Sequence, residues 1–168
     1  MEKKFELTDK FVFNTFGIKL FQIKCTKSFK YAKEGDLGGY VEKDENLDQE
    51  SNAWVYGDAW VYGNARVSGD ARVYGDAWVS GDARVSGDAD IENDNNHCGF
   101  DCFGSCNRHT HAYLTKDNKV EITCGCFRGS IEEFEKKVEK THSGTIYEKQ
   151  YKAIINVIKI KFGLTDLI

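Results

Sequence analysis

Small and polar positions repeat every six residues through the middle of the chain, from Asn52 to Ile91. The unit is Ala-x-Val-x-Gly-Asp, first seen at Ala53–Asp58. Because side chains alternate between the two faces of a strand, Ala and Val share one face. Gly-Asp then turns the chain, since both residues tolerate left-handed backbone. The pattern predicts short strands with Ala and Val buried, restarting at Ala59, Ala65, Ala71, Ala77, Ala83 and Ala89.

Strands this short and one-sided favour triangular coils of three units, stacked in parallel, over hairpins. Each residue should then lie beside the residue three units later, which places Trp60 on Trp78 and Arg66 on Arg84. The predicted fold class is mainly β: a short parallel β-helix of hexapeptide coils over residues 36–91, with an N-terminal β cap and a C-terminal α+β module. A hairpin meander and disordered low-complexity sequence are the alternatives.

The segment before the repeat, residues 1–35, is predicted to be the N-terminal cap. Ile18–Lys24 partly alternates and is typical of a strand, with an aromatic-rich partner near Phe11–Phe16. A solenoid end exposes unpaired strand edges, so it requires such a cap.

A polar stretch, residues 92–96, ends the repeat and is typical of a linker. Residues 97–168 then form the predicted C-terminal module. Its first part is a hairpin, with strands over 111–116 and 120–124 around an Asp117-Asn118 turn.

Two helices are predicted to complete this module. Ser130 with Glu133 forms one capping box, and Thr145 with Glu148 forms another. Apolar residues recur at helical spacing and predict core-facing stripes, with a membrane-surface or partner-helix face as the alternative. The stripes are Ile131, Phe134 and Val138 in the first helix, and Tyr147, Tyr151, Ile154, Ile155, Ile158 and Phe162 in the second.

Several motifs carry a resemblance to known families. The repeat resembles the left-handed parallel β-helix of hexapeptide-repeat proteins, although Tyr or Ser here follows the aliphatic residue and Gly comes one position later than usual. Two other segments resemble a group of phage and prophage proteins labelled hexapeptide or polymer-forming repeat proteins. They are Glu34–Glu42 and Cys-Gly-Cys-Phe-Arg-Gly-Ser-Ile-Glu-Glu-Phe at 124–134, followed by Val138 and His142. This resemblance implies a phage origin and the fold more than an activity.

The 168-residue chain carries a net charge of −4 and contains no apolar run that approaches the roughly 18 residues of a membrane span. These features predict no membrane association and no general nucleic-acid binding, which depends on basic residues. The first residues lack the apolar core of a signal peptide, which predicts a cytoplasmic protein, in the host cytoplasm if it is phage-encoded. The six cysteines are then expected as thiols or metal ligands rather than disulfides.

The predicted coil register lines up aromatic residues on one outer face. Exposed aromatic rows are costly unless something covers them, and aromatic residues are typical of interface cores. Since hexapeptide β-helices usually trimerise, the resemblance implies a homotrimer that meets through Trp60, Tyr62 and Trp78. Simple stacking on a solenoid surface is the alternative.

Five cysteines in the C-terminal module are candidate zinc ligands, because thiolates in this number suit that metal. Their spacing is not that of a standard finger or ribbon, and small buried thiols are the alternative. No other cofactor is predicted. The five residues are Cys98, Cys102, Cys106, Cys124 and Cys126.

The same module contains a candidate anion site. Arg128 and Ser130 lead into a predicted helix, whose first N–H groups and dipole favour negative charge. Basic and hydroxyl side chains of an adjacent predicted loop could close on it, which suits a phosphate or nucleotide. That Ser130 only caps the helix is the alternative. The candidate ligand-binding residues are Ser105, Arg108, His109, His111, Arg128 and Ser130.

Together these features predict a non-catalytic phage-type binding protein. It would act in counter-defence, by sequestering a nucleotide-like signal or by blocking a host defence protein. One alternative is a structural assembly module, and another is an enzyme, either acyltransferase-like or metal-dependent. Acyl transfer requires a base within reach of its proton, and no histidine precedes His97.

Overall fold

The computed structural model describes residues 3–164, and the chain forms two compact units. The boundary lies between Asn95 and Asn96, inside the segment expected to be a linker. Short strands dominate the first unit, and both α-helices lie in the second. The protein is therefore mainly β with some helices.

The first unit begins with three antiparallel strands: β1 (Phe5–Phe13), β2 (Lys19–Cys25) and β3 (Leu37–Val41). In the β1–β2 hairpin, Phe11 pairs with Phe21, and β2 pairs in turn with β3. The predicted N-terminal strand and its aromatic partner are thus present. The third strand connects them to the repeat.

The repeat forms two-residue strands at the predicted spacing. Three parallel ladders result: β3, β5 and β8; β4, β7 and β10; and β6 with β9. The strands are β4 (Trp54–Val55), β5 (Trp60–Val61), β6 (Arg66–Val67), β7 (Arg72–Val73), β8 (Trp78–Val79), β9 (Arg84–Val85) and β10 (Asp90–Ile91).

Paired strands within the repeat, from β4 to β10, are three units apart in sequence, whereas β3 pairs with β5 at an offset of 20 residues. Trp60 pairs with Trp78, and Arg66 with Arg84. The Trp60 N–H donates to the Ala77 carbonyl at 2.9 Å, so backbone hydrogen bonds hold the register. The predicted offset between paired residues is confirmed.

The interior of the first unit is formed by the repeat's small aliphatic residues. Each repeat Ala from Ala53 to Ala89, and each Val from Val55 to Val85, is at most 2% exposed. The predicted inward positions are therefore confirmed. The turns are equally tight, because a Cβ on Gly75, whose φ is +64°, would lie 2.3 Å from the Glu92 carbonyl oxygen.

A buried lysine satisfies backbone groups at the start of the repeat. The Lys4 ammonium donates to the carbonyls of Asp48, Ser51 and Ala53 at 2.6–2.8 Å. Lys4 is 6% exposed, and burial lowers its pKa from 10.5 to about 8. The N-terminal segment thus supplies donors to carbonyls near Ala53.

The second unit begins with a four-stranded antiparallel sheet in sequential order. The predicted hairpin is present, but two further strands flank it, and the predicted loop around His109 and His111 is instead strand. Gly99 and polar residues interrupt the apolar alternation there, which is why sequence reasoning missed these strands. The strands are β11 (His97–Phe103), β12 (Arg108–Leu114), β13 (Val120–Cys124) and β14 (Phe127–Ser130).

The two helices follow as α1 (Ile131–His142) and α2 (Ile146–Lys161). Ser130 and Glu133 form the predicted capping box, whereas the Glu148 carboxylate accepts from the Gly144 N–H instead of returning to Thr145. Between residues 3 and 164, neither helix has the length and apolar character of a membrane span. The stripes pack into one core with the sheet, and their fully buried members are Ile131, Phe134, Val138, Tyr151, Ile154, Ile155 and Ile158.

Candidate functional site

The sheet of the second unit separates the six predicted ligand-binding residues. His109 lies beside His111, with ring centroids 5.7 Å apart, on the face that points away from the helices. Arg108 is adjacent in sequence and so lies on the opposite face, where it meets Tyr151 of α2. The predicted grouping is therefore corrected, because the six residues do not lie together: His109 and His111 lie on one face of the sheet and Arg108 on the other.

Histidines on the face away from the helices interact with one another and with a carboxylate. Nδ1 of His97 lies 2.9 Å from Nε2 of His111. Nδ1 of His109 lies 2.5 Å from a carboxylate oxygen of Asp101. His111 is only 2% exposed. Each of these contacts uses one ring nitrogen of each histidine concerned.

Arg128 is also engaged by the protein itself. Its guanidinium forms two hydrogen bonds with the Glu121 carboxylate, and the one from Nη2 measures 3.3 Å. The Tyr113 hydroxyl donates to the same carboxylate at 2.8 Å. A carboxylate therefore already neutralises Arg128.

Ser130 acts as a helix cap, as the alternative interpretation held. Its hydroxyl accepts from the Glu133 N–H at 3.2 Å and donates to the Glu132 carboxylate at 2.8 Å. The Glu133 carboxylate returns to the Ser130 N–H at 2.8 Å. Two carboxylates thus surround this helix start and disfavour an added anion there. Ser105 is exposed in the β11–β12 turn.

The candidate zinc ligands are dispersed. Cys98 is half-buried against the helical core, and burial raises the pKa of its thiol to about 11. Cys124 is buried, with its Sγ accepting from the Thr110 hydroxyl at 3.3 Å. Within residues 3–164, His, Cys, Asp and Glu side chains form no group of three or more that could hold a metal. The remaining candidates, Cys102, Cys106 and Cys126, are exposed.

A small pocket lies on the helix side of the second unit. Its volume is about 100 Å³. It opens between the start of β12, the β13–β14 turn, the end of α1 and the middle of α2. We take it as the candidate functional site and call it the basic pocket. Its lining residues are Arg108, Cys124, Cys126, Phe127, Phe134, Lys137, Val138, Thr141, His142 and Tyr151.

The β13–β14 turn fixes one side of the basic pocket. Gly125 adopts a φ of +60°, and a Cβ there would lie 2.5 Å from Nη1 of Arg108. The missing side chain therefore leaves the room that the guanidinium occupies.

Tyr151 of α2 lines the basic pocket. Its ring packs edge-on against Phe134 and lies 5.5 Å from the His142 ring. The hydroxyl lies 3.8 Å from Sγ of Cys124. Burial, followed by the neighbouring Cys124 thiol, raises the pKa of Tyr151 well above its ordinary value, so the phenol stays protonated.

The lining of the basic pocket includes basic side chains and no acidic ones. Arg108, Lys137 and His142 line it, and none of its lining residues carries a carboxylate. In the described part of the chain, neither Arg108 nor Lys137 forms an ion pair, whereas Lys159 binds Glu135 at 2.6 Å. The pocket therefore combines basic side chains, a hydroxyl donor and apolar walls, a combination suited to a small anion.

Sequence reasoning found only Arg108 among these basic residues. The others lie on α1. Phe134 and Val138 form the predicted core stripe, and Lys137 and Thr141 lie beside it at helical spacing. Polar residues in that position are equally typical of a solvated helix face, so their spacing alone does not indicate a pocket.

The first unit presents stacked aromatic side chains in the predicted register. Trp60 and Trp78 stack with centroids 4.7 Å apart, and Tyr56 and Tyr74 with centroids 4.9 Å apart. Trp78 is 40% exposed, while Trp60 and Tyr62 are half-buried. This row is the predicted oligomer interface.

A larger cavity of about 580 Å³ lies beside β6 and β9 of the first unit. Its lining brings Arg66 and Arg84 near four acidic side chains. Its four carboxylates outnumber its two guanidinium groups, so this cavity lacks the anion-favouring lining of the basic pocket. The acidic residues are Asp44, Glu45, Asp48 and Glu50.

Comparison with known proteins bears on the first unit. The model of the YdcK β-solenoid repeat matches residues 59–75 and again 65–81. No curated protein matches the chain significantly. The match identifies the repeat as similar to a β-solenoid and leaves the second unit to be interpreted from its own geometry.

Proposed function

We propose that the protein is a non-catalytic binding protein that holds a small anionic, nucleotide-like ligand in the basic pocket. The observation that carries this proposal is that Arg108, Lys137 and His142 line one small pocket together with Tyr151 and without a carboxylate. A bound anion would be the charge partner of Arg108 and Lys137. Charge-assisted hydrogen bonds from arginine and lysine are also stronger than neutral ones.

Binding without chemistry is favoured by the same lining. A general base must be deprotonated near the operating pH, and the raised pKa of Tyr151 keeps its phenol protonated. The pocket also carries no carboxylate that could orient His142, the imidazole in its lining, as a base. The ligand is therefore expected to leave the protein unchanged.

The proposal includes the architecture of the first unit. The three parallel ladders and the offset of three units between paired strands support a short, left-handed β-helix with three repeat units in each coil. The partly exposed Trp60 and Trp78 stack supports a homotrimer that buries this row. A structural assembly role is the second candidate function, and this aromatic row is the observation that favours it.

The biological setting in this proposal is that of a phage protein in the host cytoplasm. There it would sequester a nucleotide-like signal in counter-defence. The support is the resemblance of segments 34–42 and 124–134 to phage proteins. Blocking a host defence protein is the alternative mode of action.

The test is calorimetric titration of the purified protein with phosphate-bearing ligands. Arg108→Ala should weaken binding by about 1.5–3 kcal/mol, the range for a hydrogen bond to a charged group. Arg128→Ala is the matched control, because Arg128 is held by Glu121 outside the pocket. Ligand recovered after heat denaturation should be chemically unchanged. Equal affinities of the two variants would remove the basic pocket as the site, and recovered product would indicate an enzyme.

A further inference from the structure

We infer that the basic pocket takes the terminal phosphate of a phosphomonoester and leaves the rest of the ligand outside. The inference rests on the proposed function and names the chemical group that the pocket recognises. It predicts that linear nucleotides with a free terminal phosphate bind in preference to cyclic phosphodiesters.

Size is the first reason. Pockets that enclose a whole drug-sized ligand measure about 300–1,000 Å³, whereas the basic pocket measures about 100 Å³. That space suits a single phosphate group and excludes a nucleoside.

Charge is the second reason. A phosphomonoester carries about −1.5 to −2 charges at neutral pH, while a cyclic phosphodiester carries a single negative charge. Three basic side chains and no carboxylate line the pocket. The more highly charged group gains more from each of these contacts.

The available donors match a terminal phosphate as well. Such a group presents three acceptor oxygens. The Arg108 guanidinium offers a planar fork of N–H donors, Lys137 an ammonium, and Tyr151 a protonated hydroxyl. Phe127 and Phe134 pack with ring centroids 5.0 Å apart and form an apolar wall of the pocket.

The first experiment compares three ligands by calorimetry at one ionic strength. Adenosine 5′-monophosphate and ribose 5-phosphate share the terminal phosphate, and 3′,5′-cyclic adenosine monophosphate lacks it. We expect the two monoesters to bind with similar affinity, and each at least about tenfold more tightly than the cyclic diester. Lys137→Ala should weaken monoester binding by about tenfold or more. Its neighbour on α1 provides the matched control, because Lys136→Ala removes an exposed lysine that does not line the pocket.

The second experiment uses the charge of the ligand. The second pKa of a phosphomonoester is about 6, so the group loses negative charge between about pH 7.5 and about pH 5, whereas sulfate stays a dianion. Titration of the protein's own groups changes its affinity for both ligands. The ratio of the two affinities therefore cancels most of that change. We expect ribose 5-phosphate to lose affinity relative to sulfate as the pH falls.

The outcomes separate this inference from the proposed function. If none of the three ligands binds, both fail. If the cyclic diester binds as tightly as the monoesters, the protein binds anions but the terminal phosphate is not the selected group. A ribose 5-phosphate affinity far below that of adenosine 5′-monophosphate, or an unchanged ratio to sulfate at low pH, also overturns the inference.

Discussion

Replacing Val73 tests the inward assignment of the repeat, because this side chain is fully buried in the middle of a ladder. Val73 is 0% exposed and pairs with Val55 on one side and Ile91 on the other. Three substitutions probe the site in different ways. Ala removes volume, Thr keeps the shape but adds a hydroxyl, and Asp adds a charge.

The expected magnitudes follow from this environment. Val73→Ala removes two methyl groups, worth about 0.8 kcal/mol each in transfer, and leaves a cavity. We therefore expect a loss of about 2–3 kcal/mol in the free energy of unfolding. A buried hydroxyl without a partner costs about 1–3 kcal/mol for Val73→Thr. An unpaired buried charge adds about 3–5 kcal/mol for Val73→Asp, comparable with the whole stability of a small domain, about 5–15 kcal/mol.

Intrinsic fluorescence during urea denaturation is a suitable measurement, because all three tryptophans lie in the repeat and report on the first unit. Ser80→Asp is the matched control: it introduces the same carboxylate at a half-buried outward position of the repeat. We expect this control to change stability by no more than about 0.5 kcal/mol. A Val73→Asp protein with the wild-type midpoint would show that the inward assignment is wrong.

Three further predictions address other parts of the molecule. Burial lowers the pKa of Lys4 from 10.5 to about 8. At pH values between these two pKa values, the unfolded chain therefore binds more protons than the folded chain. In urea denaturation, wild type should therefore gain stability relative to Lys4→Met as the pH rises through this range. A double variant, Trp60→Asp with Trp78→Asp, should dissociate the proposed trimer in light scattering and keep its β circular dichroism, whereas a wild-type monomer at all concentrations would reject the trimer. Brief alkylation at about pH 8, read by mass spectrometry, should label exposed Cys126 well before Cys98, whose pKa is raised to about 11.

The parts of the fold that sequence reasoning predicted share one property, a short-range pattern with a single structural solution. Gly75 and Asp76 close the same turn that recurs throughout the repeat, so the burial of Ala77 and Val79 follows from alternation alone. Ser130 caps α1 for a similar reason, because a cap depends on residues within one turn of the helix.

The basic pocket was not predictable in the same way. Arg108 and Tyr151 line the same pocket only because a hairpin and a helix pair bring distant segments of the chain together. The prediction grouped Arg108 with His109 because they are adjacent in sequence, and strand alternation places them on opposite faces. Long-range packing of this kind leaves no periodic signal in the chain.

Charge pairing gives the strongest physical reason to regard the basic pocket as functional. The protein is acidic overall, with 27 acidic and 23 basic residues, and several cations elsewhere have carboxylate partners. Arg72 binds Asp90 at 2.9 Å, and Lys159 binds Glu135 at 2.6 Å. Arg108 and Lys137 instead line one small pocket that lacks carboxylates, and both side chains are exposed to water. An anion that enters this pocket would be the charge partner that neither side chain has among the described residues.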